Sequence, residues 1–494
     1  MKHYIKKIIL SSLILIFFSF QILSSKELKI ALSSMPTTLT VPLEWSLAAE
    51  TVLENLYDPL FKFDDKNGKF VPYLAKRWEQ IDDLNIRIHL KKGINFHNGE
   101  QLDAEGVVKV MDLAIQEGGG ATKKWLSRYF VEWKTSGKYS FDMKLKKPSF
   151  LWPNAFIRFG PAAPKHIYKI GLKKHTNNPI GSGLYKFSSW QRDTNVVLEY
   201  NKNHWENKNL KIKKLSFYNL PEAAVRVAGL ESGDFDIAFN LPPEEVVRLK
   251  NKGFNISSGS AGQTQTVWLD PWGQTKELRD KRVRLALQYA TNEELIWKTI
   301  AGGLGELPSG QMGVKGAIGY NPSLKRYGYD IEKAKKLLGE AGYPNGFTIK
   351  GSATTGRYYQ DREVMLALKA QWSLVGVNLD LEFPESGAWL QGLINYKLNP
   401  VYNIGMTWYA RSNAVSGPGS PSKASSYYND MIKDINGTSN ISEAIPKIQK
   451  AAKWVHDEAY GLFIFTMPLV HAYNDKAKGI IFKRNFGIDL TNVK

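Results

Sequence analysis

Asn-Pro-Ile-Gly-Ser-Gly-Leu-Tyr-Lys-Phe-Ser-Ser-Trp, residues 178–190, is the stretch of this chain that says most about its fold. Pro179 keeps the asparagine before it extended, and Gly181 and Gly183 permit left-handed backbone angles. Two aromatic residues then alternate with polar ones, which is the pattern of a β-strand. By itself the stretch predicts a tight turn that leads into a strand.

Three further blocks lie in a fixed order around this stretch: Tyr57–Val108, Val225–Leu241 and Asp280–Ile296. Together the four blocks resemble the extracytoplasmic solute-binding proteins of peptide and nickel ABC importers, the dipeptide- and oligopeptide-binding family, also called solute-binding family 5. The resemblance covers nearly all of the chain after its amino-terminal segment. One departure is Gly106, where the family usually has an aspartate.

Apolar periodicity and capping residues predict the secondary structure between the blocks. Strands are predicted at 27–32, 86–90, 141–145, 377–383 and 461–467. Helices are predicted after the N-cap residue Asp103, over 363–375 and over 442–459. Strands and helices mixed throughout the chain predict an α/β fold of several layers.

The resemblance implies a two-lobed periplasmic-binding-protein fold, with hinge strands that join the lobes, an extra subdomain inserted in lobe one, and a ligand enclosed between the lobes. Hinge motion about two connecting segments is a known closure mechanism. Mapped onto this chain, the expected parts are a signal peptide at 1–25, lobe one at 26–58, 178–262 and 475–494, the inserted subdomain at 59–177, and lobe two at 263–474.

The amino-terminal segment has the layout of a secretory signal peptide. Three lysines precede an apolar run from Ile8 to Leu23, which polar residues close. We expect cleavage near Ser24 or Ser25, and an uncleaved anchor helix is the alternative. The chain has no cysteine, which excludes disulfides and a lipoprotein anchor and favours a free periplasmic protein.

Composition and motifs favour binding over catalysis. The formal charge is +19, but the lysines are scattered and no nucleic-acid motif accompanies them, so no nucleic-acid partner is expected. The serine-hydrolase, zinc-protease and P-loop signatures are missing from the sequence, and its eight histidines are dispersed. Asp234 and Asp236 occupy a turn and a strand start, where a structural role is expected. We therefore expect no enzyme activity, no cofactor and no directly ligated metal.

The resemblance also implies where the ligand binds. In peptide-binding members, an aspartate that closely follows a tryptophan in lobe two holds the ammonium group of the ligand. The matching stretch here, residues 405–413, contains no acid, and Arg411 stands near that position. A guanidinium repels an ammonium but grips a carboxylate or phosphate with two parallel hydrogen bonds. The hypothesis is that the ligand presents an anionic or polar group to Arg411; the alternative is a solvent-facing or structurally paired arginine.

Seven further residues are candidates for the ligand cleft, because ligand sites are mainly apolar and aromatic with a few polar groups. Family positions or places beside expected strands select them: Trp389, Trp408, Trp268, Arg357, Tyr358, Ser34 and Met35. Core packing is the alternative for each tryptophan.

The sequence thus predicts a monomeric periplasmic protein that captures a small organic solute, peptide-like or carrying an anionic group, and delivers it to the membrane subunits of an ABC permease. Ligand that contacts both lobes shifts the population toward the closed form. Two alternatives remain open at this point: a sensory partner of a membrane chemoreceptor or kinase, and a periplasmic chaperone or hydrolase of the same architecture.

Overall fold

The computed structural model describes residues 26–43, 49–119, 121–408, 419–421 and 423–493. The predicted signal peptide, residues 1–25, and Arg411 lie outside these ranges. The described helices, α1 to α15 in chain order, are Glu50–Leu56, Ala104–Gln116, Ala121–Tyr129, Pro164–Ile170, Leu172–His175, Ala223–Ser232, Glu245–Asn251, Lys276–Arg279, Lys281–Tyr289, Glu293–Ile300, Ile331–Glu340, Asp361–Ser373, Ser386–Ile394, Ser426–Asn436 and Ile441–Asp457. Across the described ranges, none of the helices is both long enough and apolar enough to span a membrane.

The described strands form one large sheet and three small ones. Strands β1 to β18 are Glu27–Leu32, Phe61–Asp64, Lys69–Pro72, Ala75–Gln80, Asn85–Leu90, Phe130–Gly137, Ser140–Leu145, Tyr185–Gln191, Asn195–Tyr200, Lys214–Asn219, Ile237–Ala238, Asn255–Leu269, Phe347–Ser352, Val377–Glu382, Val401–Thr407, Gly461–Tyr473, Ile481–Phe482 and Ile488–Asp489. The ten-stranded sheet has the order β14-β13-β15-β12-β16-β11-β1-β10-β9-β8. A four-stranded sheet, β4-β5-β7-β6, and two hairpins, β2-β3 and β17-β18, complete the set.

Two long antiparallel strands at the centre of the large sheet connect its two ends. Strand β12 has 15 residues and β16 has 13. Their pairing shifts register between Ser260, which pairs with Pro468, and Thr264, which pairs with Thr466. Gly262, inside this shift, has a φ of 66°, a left-handed angle that glycine adopts without strain. An irregularity of this kind bends a strand and increases its local twist, so the sheet can change direction here. We call this irregularity the seam.

Separate hydrophobic cores lie on the two sides of the seam. One core joins residues from Leu28 to Phe239 with the carboxyl-terminal segment as far as Val493, and a small cluster beside it includes Val470 and Ala472. On the other side, two clusters drawn mainly from residues between Val267 and Phe465 cover opposite faces of the sheet. We call the first side lobe one and the second lobe two. Each side therefore has its own core, and strands β12 and β16 run through both sides.

The glycine-containing stretch, residues 178–190, packs against the end of α1. Tyr185 begins β8 as expected, but Gly181 and Gly183 do not have positive φ angles, so that expectation is wrong. The glycines instead allow the backbone of this stretch to lie directly against the backbone of α1. A Cβ on Gly181 would lie 2.0 Å from the carbonyl oxygen of Leu56, and one on Gly183 would lie 2.4 Å from that of Asn55. The Gly183 N–H donates to the Leu56 carbonyl at 2.9 Å, which fixes this contact.

The other predicted elements agree closely with the structure except at one strand. Strand β1 has the predicted bounds, and the Asp103 carboxylate caps α2 by accepting the Gly106 N–H at 2.8 Å. Strand β16, predicted to end at Met467, continues to Tyr473. The predicted strand stops just before Pro468, a residue that cannot donate a hydrogen bond to a sheet ladder. In the structure this proline lies at the seam, where the ladder is already interrupted.

Candidate ligand-binding site

The two lobes touch beside the seam through backbone. The turn of the β2-β3 hairpin lies against the loop at Gly316 in lobe two. A Cβ on Gly316 would lie 1.8 Å from the carbonyl oxygen of Asp65, and one on Gly68 would lie 2.9 Å from the carbonyl oxygen of Gly316. Gly316 also has a φ of 98°. Only a residue without a side chain fits this contact.

Farther from the seam, the four-stranded sheet of lobe one also contacts lobe two. The N–H of Phe150 donates to the carbonyl of Thr438 at 2.9 Å, and the Ser439 hydroxyl donates to Asp83 at 2.7 Å. Phe70 and Phe150 belong to a lobe two cluster although their neighbours in sequence belong to lobe one. The lobes therefore meet near the seam and also at this outer contact.

Arg484 connects the lobes through its side chain. It lies in the segment between β17 and β18, in lobe one. Its Nη2 donates to the Glu306 carboxylate of lobe two at 2.8 Å, and its guanidinium carbon lies 4.9 Å from the ring centroid of Trp408. Its Nη1 is buried and has no hydrogen-bond partner among the described residues. Glu306 thus binds one edge of the guanidinium and Trp408 packs on one face, while the Nη1 donor has no partner in the described part of the chain.

Hydrogen bonds to residues at the seam position the partners of Arg484. The backbone N–H and carbonyl of Glu306 bond to the hydroxyl and the N–H of Thr466, at 2.7 and 2.8 Å. The Trp408 N–H donates to the Gly262 carbonyl at 2.9 Å, and its indole N–H donates to the Thr264 hydroxyl at 3.1 Å. The seam therefore fixes both groups that Arg484 contacts.

A cavity of about 410 Å³ opens beside these residues. Both lobes and both seam strands line it: Asp65, Lys66, Ser257, Ser258, Gly259, Ser260, Glu306, Leu469, His471, Phe482, Lys483 and Arg484. Its volume falls within the range of about 300–1,000 Å³ that small-molecule sites occupy. We call it the seam cavity.

Burial perturbs the acids and the histidine of the seam cavity. It raises the pKa of Asp65 and of Glu306, and the positive charge of Arg484 opposes both shifts. Burial lowers the pKa of His471 to about 3. Lys483 differs: burial lowers its pKa, but the charge and hydrogen bond of Glu54 outweigh this effect and leave the pKa raised. At neutral pH His471 is a neutral imidazole among charged groups.

An aromatic cluster lies next to Arg484 in lobe two. Trp268, Trp389 and Trp408 are fully buried within it. Trp268 packs edge-on against Phe463 at 6.1 Å, and Trp389 packs edge-on against Tyr402 at 6.4 Å. The indole N–H groups of Trp268 and Trp389 have no acceptor within the described part of the chain. Since buried polar groups are nearly always paired, two such donors in one cluster are unusual.

Comparisons with known proteins identify the family. The family model described as bacterial extracellular solute-binding proteins, family 5 Middle, matches residues 69–426, which is most of the chain. The chain belongs to this family. The family resemblance inferred from the four sequence blocks is confirmed.

Individual relatives are distant but cover most of the chain. A glutathione-binding protein GsiB of Shigella flexneri serotype 5b (strain 8401) is 26% identical over 368 residues, which are 74% of this chain and 71% of the relative. A dipeptide-binding protein of Escherichia coli (strain K12) is 26% identical over 474 residues, 86% of each chain. The solved structure of HbpA2 from Haemophilus parasuis has a TM-score of 0.83 at 20% identity, over 94% of this chain and 99% of that one.

These findings confirm the predicted fold class, an α/β protein of two lobes. As a member of the family, the protein is the solute-binding component of an ABC importer, and its homologues are periplasmic. The comparisons do not favour the sensory or chaperone and hydrolase alternatives.

The structure brings part of the predicted site together. Trp268, Trp389 and Trp408 share the aromatic cluster, and Tyr358 lies at its edge, with its ring 5.8 Å from that of Trp389. Arg357 is exposed beside Tyr358 and donates to the Ser386 hydroxyl at 3.0 Å. The buried carboxylate of Asp361 holds this loop by accepting the N–H groups of Gly356 and Tyr358.

Other predicted residues lie apart from the cluster. Ser34 is exposed and Met35 packs partly against the core of lobe one, and neither is among the described residues that line the seam cavity. Asp236 ties β1 to the carboxyl-terminal segment by accepting the N–H of Lys29 at 3.0 Å and the side-chain amide of Asn474 at 2.9 Å. These contacts are structural.

None of the residues that line the seam cavity was predicted from the sequence. Four of these carry the unpaired atoms and the Arg484–Glu306 pair: Asp65, Glu306, His471 and Arg484. Three of them lie in loops or short connecting segments, where periodicity gives no signal. His471 did give one, because it interrupts the apolar run of β16. A polar residue in a buried strand needs a partner, and that requirement could have marked it.

Proposed function

We propose that this protein captures a peptide or peptide-like solute between its lobes and delivers it intact to the permease of its ABC importer. The observation that carries the proposal is the seam. The pairing of β12 with β16, the two strands that run through both lobes, shifts register at the seam. A cavity lined by residues of both lobes opens at the same place. Closure about the seam would enclose a solute that contacts both lobes.

The lobe boundaries form part of this proposal. The chain first crosses from lobe one to lobe two within residues 261–263, close to the expected division between 262 and 263. The register shift supports a return crossing at Met467 rather than at the expected division after 474, because residues 468–473 pair with 255–260. The inserted subdomain is proposed at 59–177, as the resemblance implies.

The proposed solute site combines the seam cavity with the aromatic cluster. The unpaired indole N–H groups of Trp268 and Trp389 suit the carbonyl oxygens of a peptide, and Trp408 presents its ring to Arg484. Arg357, Tyr358, Arg411, Ser34 and Met35 remain candidates from the sequence. The names of the relatives, for glutathione and for dipeptides, support a peptide-like solute.

The proposal includes the setting in which the protein acts. It is a monomer, secreted with cleavage near residue 25 and without a lipid anchor, and it breaks no bond in its solute. Closure needs no chemical step, because it requires only that the solute bind the closed form more tightly than the open form. A shift of the closed-to-open ratio from 1:99 to 99:1 takes about 5.5 kcal/mol of such differential affinity.

Mass spectrometry tests the proposal directly. The protein is purified from a periplasmic extract without denaturation. The solute that it retains is released by unfolding, and its mass is measured. We expect a peptide-like molecule in near one-to-one ratio, recovered unchanged after long incubation with fresh protein. Calorimetry with glutathione and a dipeptide panel then gives affinities. No retained solute together with no heat from any peptide, or conversion of a peptide to products, would contradict the proposal.

A further inference from the structure

The seam cavity contains a second unpaired donor besides Arg484 Nη1. His471 lies on β16 with its side chain 1% exposed, and its Nε2 has no hydrogen-bond partner in the described ranges of the chain. The backbone N–H of Asn240 donates to its Nδ1 at 3.3 Å. Because Nδ1 is therefore the acceptor, the ring proton is on Nε2, and Nε2 is a donor.

Two aromatic rings hold the imidazole in place. The ring of His471 lies 4.4 Å from that of Phe239 and stacks at 4.6 Å on that of Phe482. Burial lowers its pKa to about 3, so the ring stays neutral at neutral pH, and the Asn240 N–H at Nδ1 keeps the proton on Nε2. A donor held this rigidly loses little entropy when it binds a partner.

The guanidinium of Arg484 is held in a comparable way. Its Nη2 donates to the Glu306 carboxylate, and the Trp408 ring covers one face of the guanidinium. Its Nη1 is buried and has no partner among the described residues. A buried donor without a partner costs free energy, and a charged donor costs more than a neutral one. Two residues that line the cavity, Arg484 and His471, therefore carry one charged and one neutral N–H donor without a partner in the described part of the chain.

An acceptor with unused capacity lies in the same cavity. The Oδ1 atom of Asp65 is buried without a partner among the residues that the structure describes. A second acid, Glu306, also lines the cavity. Two acids disfavour a doubly charged phosphate, since like charges at short range repel. A singly charged carboxylate with an N–H donor near it complements all three unpaired atoms.

We propose that the seam cavity binds the free carboxylate of the solute through Arg484 Nη1 and His471 Nε2, with Asp65 accepting a neighbouring N–H of the same solute. This inference rests on the proposed function and names the group that the site recognises: a carboxylate with an adjacent amide or ammonium, as at the carboxyl end of a peptide. The residues that carry this contact, Arg484 and His471, differ from the Arg411 that the sequence selected.

Paired probes test the carboxylate. Glutathione and the dipeptide Ala-Phe are each titrated by calorimetry as the free acid and as the carboxyl-terminal amide. The wild-type protein binds the free acid about 10- to 100-fold more tightly, because hydrogen bonds to charged groups are the strong ones. Arg484→Met and His471→Phe each reduce this preference by at least tenfold.

A second pair of variants separates recognition from a structural role. Glu306→Gln leaves Arg484 in place but removes the carboxylate that competes for it, so the preference for the free acid rises. Arg282→Met is the matched control, because Arg282 pairs with Asp280 at 2.6 Å in lobe two and does not line the cavity. It leaves the preference unchanged. An Arg484–Glu306 pair that only holds the lobes together would make Arg484→Met and Glu306→Gln change affinity in the same direction.

The outcomes are distinct for the inference and for the proposed function. Equal binding of acid and amide, or a preference that survives in Arg484→Met, overturns the inference and leaves peptide capture standing. If no peptide binds, the proposed peptide capture is wrong. Titration with acetate and, separately, with acetamide then tests whether the seam cavity binds a carboxylate. A shift of the His471 side-chain ¹⁵N resonance with acetate and not with acetamide then supports the inference, and no shift with either overturns it.

Discussion

Gly316→Ala should open the lobes while leaving each lobe folded. The added Cβ would lie 1.8 Å from the carbonyl oxygen of Asp65, across the contact between the lobes. Carbon and oxygen need about 3 Å, so the backbones must separate by more than 1 Å. Such overpacking typically costs about 1–3 kcal/mol. Because relief requires only that the lobes move apart, the penalty falls on the closed form, and the closed-to-open ratio drops about 5- to 150-fold.

A second glycine provides the control for backbone strain. Gly316 has a φ of 98°, and Gly328, also in lobe two, has a φ of 83° with no atom within 4 Å of its Cβ position. Alanine at either position pays for a left-handed backbone, about 1 kcal/mol. Gly328→Ala carries this strain without the overlap. The difference between the two variants therefore measures the lobe contact alone.

Small-angle X-ray scattering and urea unfolding give the two readouts. We expect Gly316→Ala to have a larger radius of gyration than Gly328→Ala, and about equal unfolding free energies for the two variants. Weaker binding of the retained solute should accompany the larger radius. Identical scattering profiles and identical solute affinities for the two variants would show that the Gly316 contact does not hold the lobes together.

Three further predictions concern stability and the aromatic cluster. The pKa of buried His175 is lowered to about 4, mainly by burial. The unfolded chain therefore takes up a proton below pH 6.5 and the folded chain does not, so about 3 kcal/mol of stability is lost as the pH falls from 6.5 to 4. Urea titrations of wild type and His175→Gln should diverge in that window and be parallel above it; parallel curves throughout would contradict this. Gly181→Ala, whose Cβ would lie 2.0 Å from the Leu56 carbonyl oxygen, should destabilise lobe one by about 3 kcal/mol, whereas Gly119→Ala, with open space around it, should be neutral by the same titration. Trp268→Phe removes an unpaired indole N–H and should weaken peptide binding with little loss of stability, whereas Trp372→Phe breaks a 2.9 Å bond to Thr291 and should lower the melting temperature without affecting binding. Equal effects of the two on calorimetric affinity would count against a role for Trp268.

The sequence was sufficient for the fold because the decisive signals were local. Alternation defined strands such as β1, and the Asp103 cap defined the start of α2. The glycine-rich stretch was also recognised, although its reason was wrong: Gly181 and Gly183 are needed for close approach to α1 rather than for left-handed angles. Motifs thus identified the element correctly without showing what packs against it.

The site was only partly predictable because its polar half is assembled by long-range contacts. The tryptophans of the aromatic cluster could be chosen from their places beside strands. Arg484 and Glu306 are 178 positions apart in sequence and meet only because the chain returns through the seam. Asp65 reaches them from the turn of the β2-β3 hairpin, which belongs to lobe one like Arg484. Local pattern does not encode such a meeting, whereas the single histidine in apolar β16 was a readable signal.

A distance measurement between the lobes shows directly whether the protein closes about the seam when it binds a solute. The chain has no cysteine, so Lys109→Cys on α2 and Lys336→Cys on α11, both exposed, give one pair of spin labels. Double electron–electron resonance is recorded with and without the solute identified by mass spectrometry. We expect a broad distance distribution that becomes narrower, with a shorter mean distance, when the solute is added. A peptide that does not bind by calorimetry should leave the distribution unchanged. An unchanged distribution at saturating solute would contradict closure about the seam.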